Sequence, residues 1–219
     1  MGAVVPLAFL LIVLILAGGV AVAVLGRKRS VRNYQRLLRS GAGWRQVPAD
    51  DLWQRVRALR EFASSRGLQD HFHLAGQHRG LPFEAVQLRR PPGVGQRVFT
   101  FGVAVALPRP VPGPELRLAR SGVFGALGQD LRVELGDAEF DRAYLLTSTD
   151  ADFARRALPA AAARSLLGDE RTAGVVLEFG PEHLVAFRPG AATPESVLPM
   201  LDLLVDLHGA VPWEELSGR

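Results

Sequence analysis

The chain has no cysteine. That absence excludes disulfides, thiolate metal sites and cysteine nucleophiles together. It leaves the compartment open, because disulfide-free domains occur on both sides of a membrane. Lysine is almost missing too: of 26 basic residues only Lys28 is a lysine. Beside so much Ala, Gly and Pro, the arginine excess reads as the coding bias of a GC-rich genome and is poor evidence for nucleic acid. Catalytic signatures are also lacking. There is no G-x-S-x-G elbow, and the serines stand in turns, caps or loops. Gly122–Gly128 lacks the Lys-Ser/Thr of a nucleotide cradle and the spacing of a dinucleotide loop, so it reads as a connector.

Charge is absent from residues 3–25. As a helix this stretch would measure about 35 Å, enough to cross a bilayer core. It predicts a transmembrane anchor over 1–26. Arg27, Lys28 and Arg29 follow at once, with Arg32, Arg36 and Arg39 behind. The positive-inside rule then predicts a single-pass protein of the cell membrane with its domain in the cytoplasm. A cleaved signal is the rival, since Ala21-Val22-Ala23 has the small-x-small form. Its charge, however, would have to precede the apolar run. Small residues at Ala17, Gly18, Gly19, Ala21 and Ala23 allow a homodimer through a helix-packing face.

Residues 27–43 predict a basic juxtamembrane helix and linker. Arg29, Arg32, Arg36 and Arg39 fall within about 80° on a helical wheel, opposite Val31, Tyr34 and Leu38. Arg27, Lys28, Arg29, Arg32, Arg36 and Arg39 are thus the expected membrane-surface residues, and a bilayer with anionic head groups the expected partner. The plain alternative is a solvated helix face. Net charge is +10 over residues 27–99 and −6 over 100–219. A positive pole near lipid and a negative pole away from it fit that partner.

Residues 44–219 predict one soluble α+β domain, an antiparallel β-sheet packed by helices. A helix is expected from Asp50 or Asp51 to Ser65, with strands over 71–77, 82–88 and 97–107 separated by turn residues. Four prolines in 108–114 predict an irregular crossing. Strands are expected over 115–119, 131–135 and 142–147. Two short helices follow, the first capped by Thr149 or Asp150 and the second entered at Pro159. A hairpin is expected over 173–179 and 183–188. The last helix opens at Thr193-Pro194-Glu195 and stops at Gly209. No strand–helix–strand repeat calls for a parallel sheet.

Gly76-Gln77-His78-Arg79-Gly80-Leu81-Pro82-Phe83 reads as G-x-x-R-G-x-P-F. Gly136-Asp137-Ala138-Glu139-Phe140-Asp141 and a Leu-Pro-Ala segment ending at Leu166-Leu167 follow in order. Over roughly residues 68–210 this arrangement resembles an uncharacterised bacterial family of membrane-anchored domains of unknown function. The resemblance implies a membrane-anchored domain and brings no activity or catalytic residue.

The one histidine constellation is His71, His73 and His78. Two on a strand and a third after a turn make a metal site conceivable, but no acidic ligand stands at a matching spacing, so no metal and no cofactor is expected. Asp150 and Asp152 are explained by helix capping. Glu134, Asp137, Glu139 and Asp141 do not follow calcium-loop grammar. The basic segment lacks interleaved aromatics, so lipid is preferred to nucleic acid. The reading is a membrane-tethered, non-enzymatic interaction module that recruits a protein partner. The alternative is a small-molecule-binding or enzymatic domain with a pocket invisible in sequence. Convergent polar groups around a pocket would favour the alternative.

Overall fold

A computed structural model describes residues 31–41, 43–48, 69–89, 99–121 and 131–217. Its frame is one antiparallel eight-stranded sheet: β1 (Arg45–Gln46), β2 (Gln69–His78), β3 (Leu81–Arg89), β4 (Phe99–Ala106), β5 (Leu116–Arg120), β6 (Tyr144–Ser148), β7 (Val176–Phe179) and β8 (His183–Pro189). Spatial order is β1-β2-β3-β4-β8-β7-β5-β6. Helices are α1 (residues 31–40), α2 (Ala138–Ala143), α3 (Ala151–Ala157), α4 (Ala160–Leu167), α5 (Pro194–Ala210) and α6 (Trp213–Leu216), with a 3₁₀ turn at Glu170–Thr172.

Period-two alternation gives the two faces different chemistry. One register row runs Leu74, Ala85, Val103, Ala186, Leu177, Leu118, Leu146, and every member is buried. The helices pack on this side, with Leu37, Val197, Leu201 and Leu204 in its core. One residue along, the row on the second face runs Arg45, Ala75, Glu84, Ala104, Val185, Glu178, Arg117, Thr147. That row mixes small or apolar side chains with four charged ones, Arg45, Glu84, Glu178 and Arg117.

Local chemistry fixes the register. The β2–β3 hairpin turns through Arg79 (φ 49°) and Gly80 (φ 85°), the paired positive φ of a type I′ turn, whose twist suits two-residue hairpins. Asp137 and Asp150 cap α2 and α3 by accepting from the backbone N–H groups two and three residues on. Pro194 opens α5, and the Thr193 N–H donates to Ser196 Oγ at 2.9 Å.

The α+β, antiparallel architecture stands; the single-pass description is corrected. No helix among the described residues is long and apolar enough to cross a membrane. The longest, α5, has 17 residues, about 26 Å against a core of about 30 Å, and carries Glu195, Asp202 and Asp206. Its apolar positions are spent on the sheet. The finding withdraws the transmembrane helix from the fold class, along with the cell-membrane, single-pass localisation. The span expected over 1–26 lies outside the described residues, as do Arg27, Lys28, Arg29, the 50–65 helix and the 122–128 connector. On α1, Tyr34, expected on the side opposite the arginines, packs on Phe72 with ring centroids 4.9 Å apart, and Leu37 has no exposed surface.

Three other differences are local. Residues 131–135 make a single bridge, Arg132 to Thr147, in place of a strand. The strand expected from 142 begins at Tyr144, because the Asp137 cap holds 138–143 helical. Gly209 falls inside α5, which ends at Ala210 before Val211 and Pro212.

Candidate functional site

The second face carries a hollow of 420 Å³ that crosses five strands from β1 to β8, a size within the usual range for small-molecule sites, roughly 300–1,000 Å³. Its floor follows from residue size: Ala75, Ala104 and Ala106 stand where larger strand residues would fill the space. Gly43 and Arg45 form the β1 wall, Gln77, Pro82 and Glu84 the neighbouring rim, and His183 the β8 end. Arg45, Gln77 and Pro82 are exposed, while Ala75, Glu84, Ala106 and His183 are half-buried.

The β1 wall is held from the other side of the sheet. Trp44 is buried against Phe83, with centroids 4.8 Å apart, and its indole N–H donates to the Gln77 carbonyl at 3.2 Å. It fits because Gly76 lies beneath it: a Cβ there would sit 2.7 Å from Trp44 Cδ1. Two glycine–tryptophan contacts, at Gly41 and Gly76, therefore set where Arg45 stands.

The polar groups have settled partners in part. Glu84 Oε2 lies 2.7 Å from His73 Nε2. His73 is only 5% exposed, and its Nδ1 has no hydrogen-bond partner. Among the described residues Arg45 takes part in no ion pair. Farther along the row, Arg117 Nε donates to Glu178 Oε2 at 2.9 Å.

The histidines singled out in the sequence are not brought together. His71 is the extra residue of a β-bulge between Asp70 and Phe72, which breaks the alternation that would set it beside His73. His73 belongs to the second face, while His78 is on the helix side, its Nε2 2.8 Å from Asp202 Oδ1. Among the described residues no three His, Cys, Asp or Glu side chains form a metal-binding group. Arg32 and Arg39 are exposed on α1, and Arg36 forms an ion pair with Glu195 at the start of α5.

His78 instead joins a clamp. Arg79 Nη1 donates to Asp206 Oδ1 at 2.7 Å, Arg171 Nη1 lies 2.9 Å from Asp206 Oδ2, and Arg171 Nη2 lies 2.6 Å from Asp169 Oδ2. The cluster ties the β2–β3 turn and the 3₁₀ turn to α5. Burial pushes the Asp206 carboxyl up, but hydrogen bonds and charge from Arg79 and Arg171 outweigh it and hold the group below its ordinary 3.8. Asp169 is held down the same way by Arg171. A depressed folded-state value gives stability that is present above the unfolded pKa and lost as pH falls through the folded one. Asp206→Asn should therefore lower stability at pH 7 and flatten its decline below about pH 4. Urea midpoints at pH 7 and pH 3 check this, and parallel declines for wild type and variant would refute it.

Sequence reasoning missed the hollow. β1 is two residues long, and the juxtaposition of Arg45, Ala75, Glu84 and Ala104 depends on strand order that no local pattern encodes. No family model and no curated protein matches the chain. The fold is similar to that in the crystal structure of the mycobacterial trehalose monomycolate transport factor A, TtfA, with a TM-score of 0.50 and 13% identity over 69% of this chain and 79% of that one. At that identity the likeness is one of fold.

Proposed function

We propose that the chain is a non-enzymatic binding domain that holds a small amphiphilic, lipid-like molecule in the hollow on the second face of its sheet. The observation that carries this is the hollow itself: an alanine floor wide enough for a ligand, rimmed by Arg45, Gln77, Glu84 and His183. An apolar floor takes the greasy part of such a molecule by burial, at about 25 cal/mol per Å² removed from water, and the rim orients the polar part. Convergent polar groups around a pocket favour ligand binding over recruitment of a protein. The name of the similar structure, a transport factor for trehalose monomycolate, supports a lipid as the ligand class to test first.

N-phenyl-1-naphthylamine, a neutral apolar dye that brightens in dry sites, is a direct probe. The full chain should bind it saturably. Ala106→Phe and Ala75→Phe, which place a ring into the hollow, should each weaken binding at least about tenfold, the loss of some 1.4 kcal/mol of burial. Ala160→Phe, at an exposed position of α4, is the control for added hydrophobicity. Absence of saturable binding, or equal binding by all four proteins, would defeat the proposal.

A further inference from the structure

The charges around the hollow are not symmetric, and we infer from them the class and direction of its ligand: an amphiphile with an anionic head seated on Arg45 and a linear apolar tail laid across the strands toward β8. This rests on the ligand-binding reading above and adds the ligand's charge and orientation.

Arg45 stands at the β1 end, exposed and outside any ion pair among the described residues. A guanidinium presents a planar fork that matches a carboxylate or phosphate. The acidic group on the rim, Glu84, sits two register positions along the same row, across Ala75, or about 10 Å at the usual strand spacing. Its carboxylate is committed to His73 at 2.7 Å. An anionic head placed in the middle of the hollow would meet that carboxylate, so the head belongs at the β1 end. From there to β8 are four strand intervals, about 19 Å, floored by Ala75, Ala104 and Ala106, with the His73-bound Glu84 standing between Ala75 and Ala104. A hydrocarbon tail that crosses the strands beside Glu84, over Pro82 and Ala106, fits that path.

The test uses the full chain and competition against the bound dye. Octanoate, decanoate and dodecanoate are compared with the matched alcohols, and decyl phosphate is run beside decanoate to distinguish the two anionic heads. Decanoate should bind at least about tenfold more tightly than decanol, the usual worth of one charge-assisted contact. Each pair of added methylenes should tighten binding several-fold. Arg45→Gln should weaken decanoate far more than decanol and so remove the preference for the anion, whereas Ala106→Phe should weaken both. Equal affinity for acid and alcohol, or a preference that survives Arg45→Gln, would overturn the head assignment while Ala106→Phe-sensitive binding kept the hollow as a site. Failure of every ligand to bind, or indifference to Ala106→Phe, would instead overturn the site itself.

Discussion

Leu37→Ala should destabilise the chain by about 2–5 kcal/mol, the range for removing a buried leucine side chain. Leu37 has no exposed surface and belongs to one core with Phe72, Leu74, Val197 and Leu201. It sits on α1, whose sequence looks like a basic helix made for a surface. The same helix places Tyr34 on Phe72 and pairs Arg36 with Glu195 at the start of α5. Were α1 only a spacer, truncating one of its leucines would change stability within about 0.5 kcal/mol. Val31, 54% exposed on the same helix, is the internal control, and Val31→Ala should fall within that margin. Urea unfolding monitored by circular dichroism measures both. An unchanged midpoint for Leu37→Ala would detach α1 from the domain. The expected result also means that a fragment starting at residue 44, the boundary suggested by composition, lacks part of its own core.

How far the sequence could be read depended on whether the signal was local. The capped start of α3 at Asp150, the Gly80 turn and the Thr193-Pro194 entry to α5 are decided within a few residues, and the structure uses them as a pattern reading expects. Alternation in β2 and β3 likewise separates the row through Leu74 and Ala85 from the row through Ala75 and Glu84. Helix α1 misled because its wheel shows where the arginines point but not what covers Leu37. The cover comes from strands and helices distant in sequence. The apolar stretch over 3–25 suggested a span and lies outside the described residues, among which no helix is long and apolar enough to cross a membrane.

The site was illegible for a related reason. Ala75, Ala104 and Ala106 are ordinary strand fillers until β1, β2, β3 and β4 are set side by side, when their small size becomes a hollow. His73 attracted notice as a metal ligand because of its neighbours in sequence. Its partner is Glu84, eleven residues away across a hairpin, and the pair positions a carboxylate at the rim. Arg45 lies between Gly43 and Pro48 in a segment with no periodicity to mark it. Its role follows only from the register that brings it opposite Ala75.

The other large effect is expected where that same row carries a buried charge. Glu178 has no exposed surface, and its Oε2 accepts from Arg117 Nε at 2.9 Å on the adjacent strand. Arg117 keeps 18% of its side chain exposed. Desolvating the two ions costs several kcal/mol each, so the pair adds little net stability, but removing one partner takes away the charge that offsets much of the other's desolvation, typically at 3–5 kcal/mol. The asymmetry in burial sets an order. Arg117→Leu, which withdraws the guanidinium from a fully buried carboxylate, should fall near the upper end, about 5 kcal/mol. Glu178→Gln, which keeps the shape and leaves a partly hydrated arginine, should cost about 3 kcal/mol. The double variant Arg117→Leu/Glu178→Leu should cost less than Arg117→Leu alone, because an apolar pair no longer pays for desolvation. Urea midpoints of the three variants and wild type complete the comparison. Additive losses would show that the carboxylate and guanidinium do not depend on one another, and equal losses for the two single variants would overturn the order set by burial. Ala104 is separated from Glu178 only by Val185 in this row, so dye binding by the double variant adds a second reading. Retained binding would mean that the ion pair supports the sheet beside the hollow without contributing to the ligand's contacts.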